Sequence, residues 1–464
     1  MTSLPTDGVL LALGAREPRD NHLAFWQSQD FRYLTGFDEP DAALVMIRRG
    51  GEVRGLLFVP PRDPAMEVWT GARLGVEGAS ARTGLEGRDA RTLDTTLDSI
   101  LSSIGRGTLY AVGDFGDATG PQTPDDQLLA QLRARHPSLS VRDATASVLR
   151  LRSVKSAAEQ ELLRTAAAIS AAAHRDVLGS IGPGRNEYEV EALAEFTFRR
   201  QGADGPAYPS IVGSGPNSTT LHYNRNDRFM QDGELLLMDM AASYGAYTAD
   251  ITRTVPVNGR FTEDQRAVYE IVLEALVHAE GQVRAGAPWK QPSDSATAVI
   301  QRGLARLGLI EAPNATYGCG SEERPQRCPQ VALYYMHSLS HGIGLDVHDP
   351  DVSAQTGMMT PGSAFTIEPG IYVRAGTVEI IPATRENAAF RARIAPAVRR
   401  YANIGVRIED DYLITDAGVE RISAGAPREV EEVERAMATR RRSAVRDTAM
   451  ARARGSLRPD GATR

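Results

Sequence analysis

The 464-residue chain reads as an α+β protein of at least two domains, and three observations predict this. The length exceeds the roughly 100–200 residues that one ordinary domain core organises. Between residues 8 and 150, short β-type runs alternate with polar helical segments, the pattern of an N-terminal α/β domain. Beyond residue 150 the order becomes helix, strands, helices, strands, which fits helices packed on one side of a mostly antiparallel sheet.

Taken in order, "MTSLPTDGVLLALGARE" carries a short apolar stretch preceded by Asp7 rather than by Lys or Arg. That is a buried strand and not a signal peptide. Val9–Leu13, Ala43–Ile47, Leu56–Val59 and Thr108–Val112 are the β-type runs of a first domain over 1–150, and Asp125–Arg135 is helical. A catalytic domain over 151–438 starts at "LRSVKSAAEQELLRTAAAIS", where Ser156 and Glu159 form a capping-box signature. A second capping box, Thr262 with Gln265, opens a helix in which Val268, Ile271, Val272, Ala275 and Leu276 fall at helical spacing. Strands return in "SAFTIEPGIYV" and "IGVRIEDDYLIT". Residues 439–464 carry eight arginines against two aspartates and almost no large apolar side chains, the composition of a solvated, disordered basic tail.

Composition excludes several classes. With 42% hydrophobic and 24% charged residues the chain is globular, and a net charge of −7 gives no general reason to bind nucleic acid or anionic membrane. No run approaches the roughly 18 consecutive apolar residues of a membrane helix. Cys319 and Cys328 are too few for a disulfide framework, which points to the cytoplasm. The polar loop "CGSEERPQRC" between them has ends that can be bridged, so an exported location stays open; a zinc site built on two cysteine pairs is excluded.

Chemistry concentrates in four places. In "LLLMDMAASYGAYTADITRTVPV", two apolar β-prone runs flank Tyr244-Gly245, and a tight turn there would put Asp239 directly opposite Asp250. Two carboxylates in a buried hairpin repel unless a cation or proton intervenes. Glu368 ends an apolar run before Pro369-Gly370, and Glu409 alternates with Val406 and Ile408 while sharing a face with Arg407. "HSLSHGIGLDVHD" holds three of the eight histidines, His337, His341 and His348, in a glycine-rich stretch that does not continue as a helix. One imidazole then suffices as a ligand, leaving the others for substrate and protons. Hard carboxylates with one imidazole suit Mn²⁺, Co²⁺, Fe²⁺ or Zn²⁺, and bridging carboxylates allow two ions.

These stretches, with "YPSIVGSGPNSTTLHYNRND", "FWQSQDFRYLTGFDEPDAALVMI" and "EVWTGARLG", resemble the metal-dependent aminopeptidase P and prolidase group, whose catalytic domain has the pita-bread fold. The resemblance implies two divalent ions, Mn²⁺ foremost with Zn²⁺ or Co²⁺ as alternatives, held by Asp239, Asp250, His341, Glu368 and Glu409. Asp250 and Glu409 would bridge the ions. His222, His337 and His348 would line the substrate site and move protons, and Tyr372 and Arg407 match active-site positions. Trp69 matches an aromatic that approaches a neighbouring active site in oligomeric relatives, which implies a homodimer or homotetramer. The implied reaction is hydrolysis of the N-terminal bond of peptides with proline second, by a hydroxide shared between the ions, with Glu368 relaying its proton. Prolidase shares every ligand and is the nearest alternative. A metal-free creatinase-like hydrolase lacks this ligand set, methionine aminopeptidase lacks the matching N-domain, and an inactive binding protein on the same fold usually loses ligands. The segments "GCGSEERPQRCPQVALYY" and Ala375 to Arg400 depart from the compact form of the group.

Overall fold

The computed structural model describes residues 8–20, 24–116, 120–321 and 324–438; the basic segment 439–464, expected to be a solvated tail, lies outside them. The chain divides into two compact units, Met1–Arg152 and Ser153–Arg464.

The first unit is built on a six-stranded mixed sheet in the order Glu86–Asp89, Glu52–Val59, Ala43–Arg49, Gly8–Leu13, Thr108–Val112, Ser140–Asp143. The central strand, "GVLLAL", is buried throughout because helices cover both faces. Val9, Leu11 and Leu13 pack with Leu97, Leu101, Leu129 and Leu132 on one side. Leu10 and Ala12 pack with Phe31, Ala79 and Val148 on the other. The helix expected at Asp125–Arg135 spans Pro124–Arg135, held by a capping box between Thr123 and Asp126.

In the second unit both expected capping boxes form. Ser156 and Glu159 cap Ala157–Leu178, and Thr262 and Gln265 cap Glu263–Glu280. Val268, Ile271, Val272, Ala275 and Leu276 are all in the core. Every strand pair described in this unit is antiparallel.

One register expectation fails. The tight turn uses Gly245 and Ala246, not Tyr244 and Gly245, so Tyr244 pairs with Tyr247 and Asp239 pairs with Thr252 rather than with Asp250. Both turn residues have positive φ, 58° and 67°, the pair of left-handed residues that a type I′ hairpin turn needs. An alanine in that conformation is disfavoured, which is why the sequence pointed to the wrong pair. Moving a turn by one position shifts the register by two, and two is the side-chain period of a strand. Asp250 therefore stays on the same face as Asp239, as a diagonal neighbour.

A second antiparallel ladder is interrupted in its middle. Ala364–Ile367 pairs with Asp410–Thr415, and Gly370–Val373 pairs with Ile404–Arg407. The register is the same on both sides of the interruption and puts Glu368 opposite Glu409. Pro369, which has no N–H to offer a ladder, sits in the gap.

The segments around 316–329 and 375–400 pack on each other. Cys319 and Cys328 are joined in a disulfide that closes the hairpin of Thr316–Gly318 and Arg327–Pro329. Asn387, at the start of helix Ala388–Arg400, accepts from the Gly318 N–H and donates to the Gly318 and Pro382 carbonyls at 3.1, 2.8 and 3.0 Å. The Tyr317 and Phe390 rings lie 5.9 Å apart, and Arg327 pairs with Glu386.

Candidate metal centre

Strand Leu235–Asp239 is buried along its length and ends on Asp239. Asp250 precedes strand Thr252–Pro256, and Glu368 and Glu409 fill the interrupted ladder. Asp239, Asp250 and Glu409 are 8, 5 and 2% exposed. His341 comes from the irregular stretch that follows His337, where Gly342 bridges to both Asp349 and Phe365. Its Nδ1 lies 3.1 Å from the Gly342 carbonyl and donates to it, leaving the Nε2 lone pair free on the side of the carboxylates. That Nε2 stands 3.5 Å from Asp250, 3.4 Å from Glu368 and 3.9 Å from Glu409.

The electrostatics are those of a cluster short of positive charge. Burial first, and then Glu409 and Asp239, push the Asp250 carboxyl well above the usual range. Burial and then Glu409 do the same to Glu368. Burial, with Asp239 beside it, brings Glu409 up to about 7. Tyr208 holds the two aspartates together, its hydroxyl 2.6 Å from an oxygen of each. Burial lowers the pKa of His341 to about 4, so its ring is neutral at pH 7 and able to ligate.

One ligand atom each of Asp250, His341 and Glu409 lies within 4.8 Å of the others. Oxygen donors predominate, one neutral nitrogen completes the group, and the acids repel in the absence of a cation. This set fits a divalent ion of the Mn²⁺, Co²⁺ or Zn²⁺ kind.

The other expected residues surround that cluster. Arg407, fully enclosed, spends all three nitrogens inside the protein: on Asp239, on Thr252 Oγ1 at 3.0 Å and on the Tyr372 hydroxyl at 3.0 Å. Thr252 links it to Glu409 by a hydrogen bond, its hydroxyl donating to that carboxylate at 2.7 Å, and the guanidinium charge itself favours ionised Glu409. Tyr372 in turn lies 2.9 Å from His337 Nε2, and His337 Nδ1 donates to the Ser338 carbonyl at 2.9 Å. Burial depresses His337 to about 4 as well. The His348 ring is exposed and lies 4.2 Å from the His341 ring. His222, also exposed, is near enough to His337 for its charge to act there. Trp69 belongs to the first unit and is 71% exposed.

Sequence reasoning missed Tyr208, Thr252 and Arg253. Arg253, 1% exposed, donates to the Thr252, Glu409, Ala426 and Pro427 carbonyls and to Asp410, fixing the backbone that carries Glu409. Burial works against ionisation of Asp410, but Arg253 and Arg428 outweigh it and hold that carboxyl at about 2. No local pattern marks these residues, because their partners are 31 to 174 positions away, apart from Arg253's bond to its own neighbour Thr252.

Comparison with known proteins agrees with this geometry. The profile of metallopeptidase family M24 matches residues 161–416, and that of the aminopeptidase P N-terminal domain matches residues 1–110. The chain is 33% identical to an Xaa-Pro aminopeptidase of Haemophilus influenzae over 93% of its own length and 94% of the relative's. It is 34% identical to an Xaa-Pro aminopeptidase of Escherichia coli, covering 91% of each. Among solved structures, zinc-substituted aminopeptidase P of E. coli in complex with product superposes with a TM-score of 0.78 at 31% identity, over 94% of this chain and 95% of that one. With its interrupted ladder, converging carboxylates and pita-bread neighbours, the chain belongs to metallopeptidase family M24, in the aminopeptidase P group.

Proposed function

We propose that this chain is a metal-dependent Xaa-Pro aminopeptidase in which Asp239, Asp250, His341, Glu368 and Glu409 would hold the divalent ions. The observation that carries the reading is the convergence of Asp250, Glu368 and Glu409 on one neutral imidazole, with Asp239 joined to Asp250 through the Tyr208 hydroxyl. Divalent ions held there, Mn²⁺ by the hardness of the oxygen set, would supply an activated water at neutral pH and a Lewis acid for the scissile carbonyl. Glu368 takes the proton of the attacking water and returns it to the departing proline nitrogen. Of the two histidines that could hold the carbonyl oxygen as charge develops on it, His348 or His337, the choice falls on His348, because both ring nitrogens of His337 are engaged by Ser338 and Tyr372; His222 lines the substrate site. Arg407 and Tyr372 keep Asp239 and His337 in place.

A bond to proline is a tertiary amide without N–H, so it is poorly handled by proteases that rely on extended backbone pairing. Arg407 separates this reading from prolidase. A dipeptidase must grip the terminal carboxylate of its substrate with a cation, and here every nitrogen of Arg407 is already bonded to protein. The measurement that decides is kcat/KM of Mn²⁺-loaded protein on Gly-Pro-Ala, Gly-Pro and Gly-Ala-Ala. The tripeptide with proline is expected to be best. A preference for Gly-Pro would make the enzyme a prolidase, and equal use of Gly-Ala-Ala would abolish the proline requirement.

We also assign residues 1–150 to an N-terminal domain and 151–438 to the catalytic domain. Met66, Val68, Trp69 and Leu74 expose apolar surface within one short stretch, which favours a homodimer or homotetramer over a monomer. No described helix is long and apolar enough to cross a membrane. The Cys319–Cys328 bond fits the exported location better than the cytoplasmic one.

A further inference from the structure

Lys155 stands next to the capping serine of helix Ala157–Leu178, yet its side chain is 1% exposed, and so is turned away from water entirely. Its Nζ lies 2.9 Å from Asp349 Oδ2 and 2.7 Å from the Pro350 carbonyl. The Asp349 side chain is 2% exposed. The backbone at the lysine and two residues before it is tied to the same region, with the Lys155 N–H on the Gly362 carbonyl at 2.8 Å and the Val352 N–H on the Ser153 carbonyl at 3.2 Å.

Asp349 is the residue after His348, and its groups close the loop that runs from His341 to His348. Its N–H donates to the Gly342 carbonyl at 2.9 Å, and its Oδ1 accepts the Asp346 N–H at 3.2 Å. The carboxylate lies against the bare Cα of Gly344, where a Cβ would come within 2.4 Å of Oδ2. The Gly344 carbonyl accepts both the N–H and the hydroxyl of Thr248, two residues before Asp250. Outside this frame stands the exposed imidazole of His348, 4.2 Å from the ring of His341.

A buried ion pair contributes little net stability compared with apolar residues of the same volume, because desolvation offsets the attraction. What it does contribute is a fixed position for the groups it joins. We propose that Lys155 is a positioning residue: through Asp349 it holds His348 in its working place beside His341, without touching substrate or metal. This rests on the role given to His348 above.

The test is a double-mutant cycle on Mn²⁺-loaded protein with Gly-Pro-Ala as substrate, comparing wild type, Lys155→Met, His348→Ala and the combined variant, with metal content measured for each. Displacing a working group by about 1 Å costs on the order of 10²-fold, so Lys155→Met is expected to lose about that much in kcat while metal content and KM stay within about two-fold. In the His348→Ala background the same change is expected to cost less than about three-fold, because residues acting as one unit are not additive. A full additional loss in that background, or loss of metal from Lys155→Met, would overturn the inference. If His348→Ala turns over as fast as wild type, the role of His348 itself falls, and the inference with it. Should Lys155→Met fail to fold, Lys155→Met/Asp349→Asn leaves no lone buried charge and takes its place in the cycle.

Discussion

Replacing Glu409 by glutamine is expected to strengthen the metal-free fold while removing its capacity for metal. The carboxyl group is 2% exposed, and burial and Asp239 raise it from the ordinary 4.5 to about 7. A raised pKa means the protonated form is favoured in the folded state. The resulting stability is complete below the unfolded value of 4.5 and is lost as pH rises through about 7. Each pK unit corresponds to about 1.4 kcal/mol, so above pH 7 the charged form costs the metal-free protein on the order of 3 kcal/mol. Glutamine carries no charge, and its carbonyl can still accept the Thr252 hydroxyl that now bonds Glu409. Urea unfolding of chelator-treated protein, followed through Trp289 with Trp26 and Trp69 replaced by phenylalanine, gives the comparison. Glu409→Gln should gain on the order of 3 kcal/mol over wild type at pH 8 and almost nothing at pH 4.5. Equal stability at pH 8, or the same gain at both pH values, would refute the charge-repulsion argument.

Other expectations are simpler to check. Elemental analysis of reconstituted protein should find about two divalent ions per chain, and Asp250→Ala should lose both, since a bridging ligand serves both ions. His341→Ala should lose metal, whereas His337→Ala and His348→Ala should retain it and turn over slowly; equal loss in all three would merge the roles separated here. Arg407→Lys keeps the charge but cannot reach Asp239, Thr252 and Tyr372 together, so kcat should fall at least about ten-fold with metal still bound. Ser156→Ala should cost about 1 kcal/mol in unfolding free energy with unchanged activity, because it removes only a helix cap.

Local rules explain what the sequence made legible. Ser156 and Thr262 announce helices because a capping box is complete within four residues. Asp239, Glu368 and Glu409 stand out because an acid in an apolar strand is expensive wherever it is not paired. The register at Asp239 was misread because nothing local says that Ala246 accepts a left-handed backbone. The non-ligand partners were invisible for the opposite reason: Tyr208 meets its carboxylates 31 and 42 residues later, and Arg407 meets Thr252 across 155. Their types are ordinary, and only the closed fold brings them to the site.

The interrupted ladder also bears on how such an enzyme can diversify. Glu368 and Glu409 face each other where one pair of strands gives way to the next, and Arg253 pins the backbone there. The four-residue strands Gly370–Val373 and Ile404–Arg407 then run on from that point to an open end, and residues 374–403 hang from it. The Asn387 bonds to the disulfide-closed hairpin brace that connecting chain about twenty residues from either glutamate. Chain can accumulate at the open end over evolutionary time without any carboxylate moving. The catalytic chemistry and the shape of the surface that meets a substrate are in this way free to change at different rates.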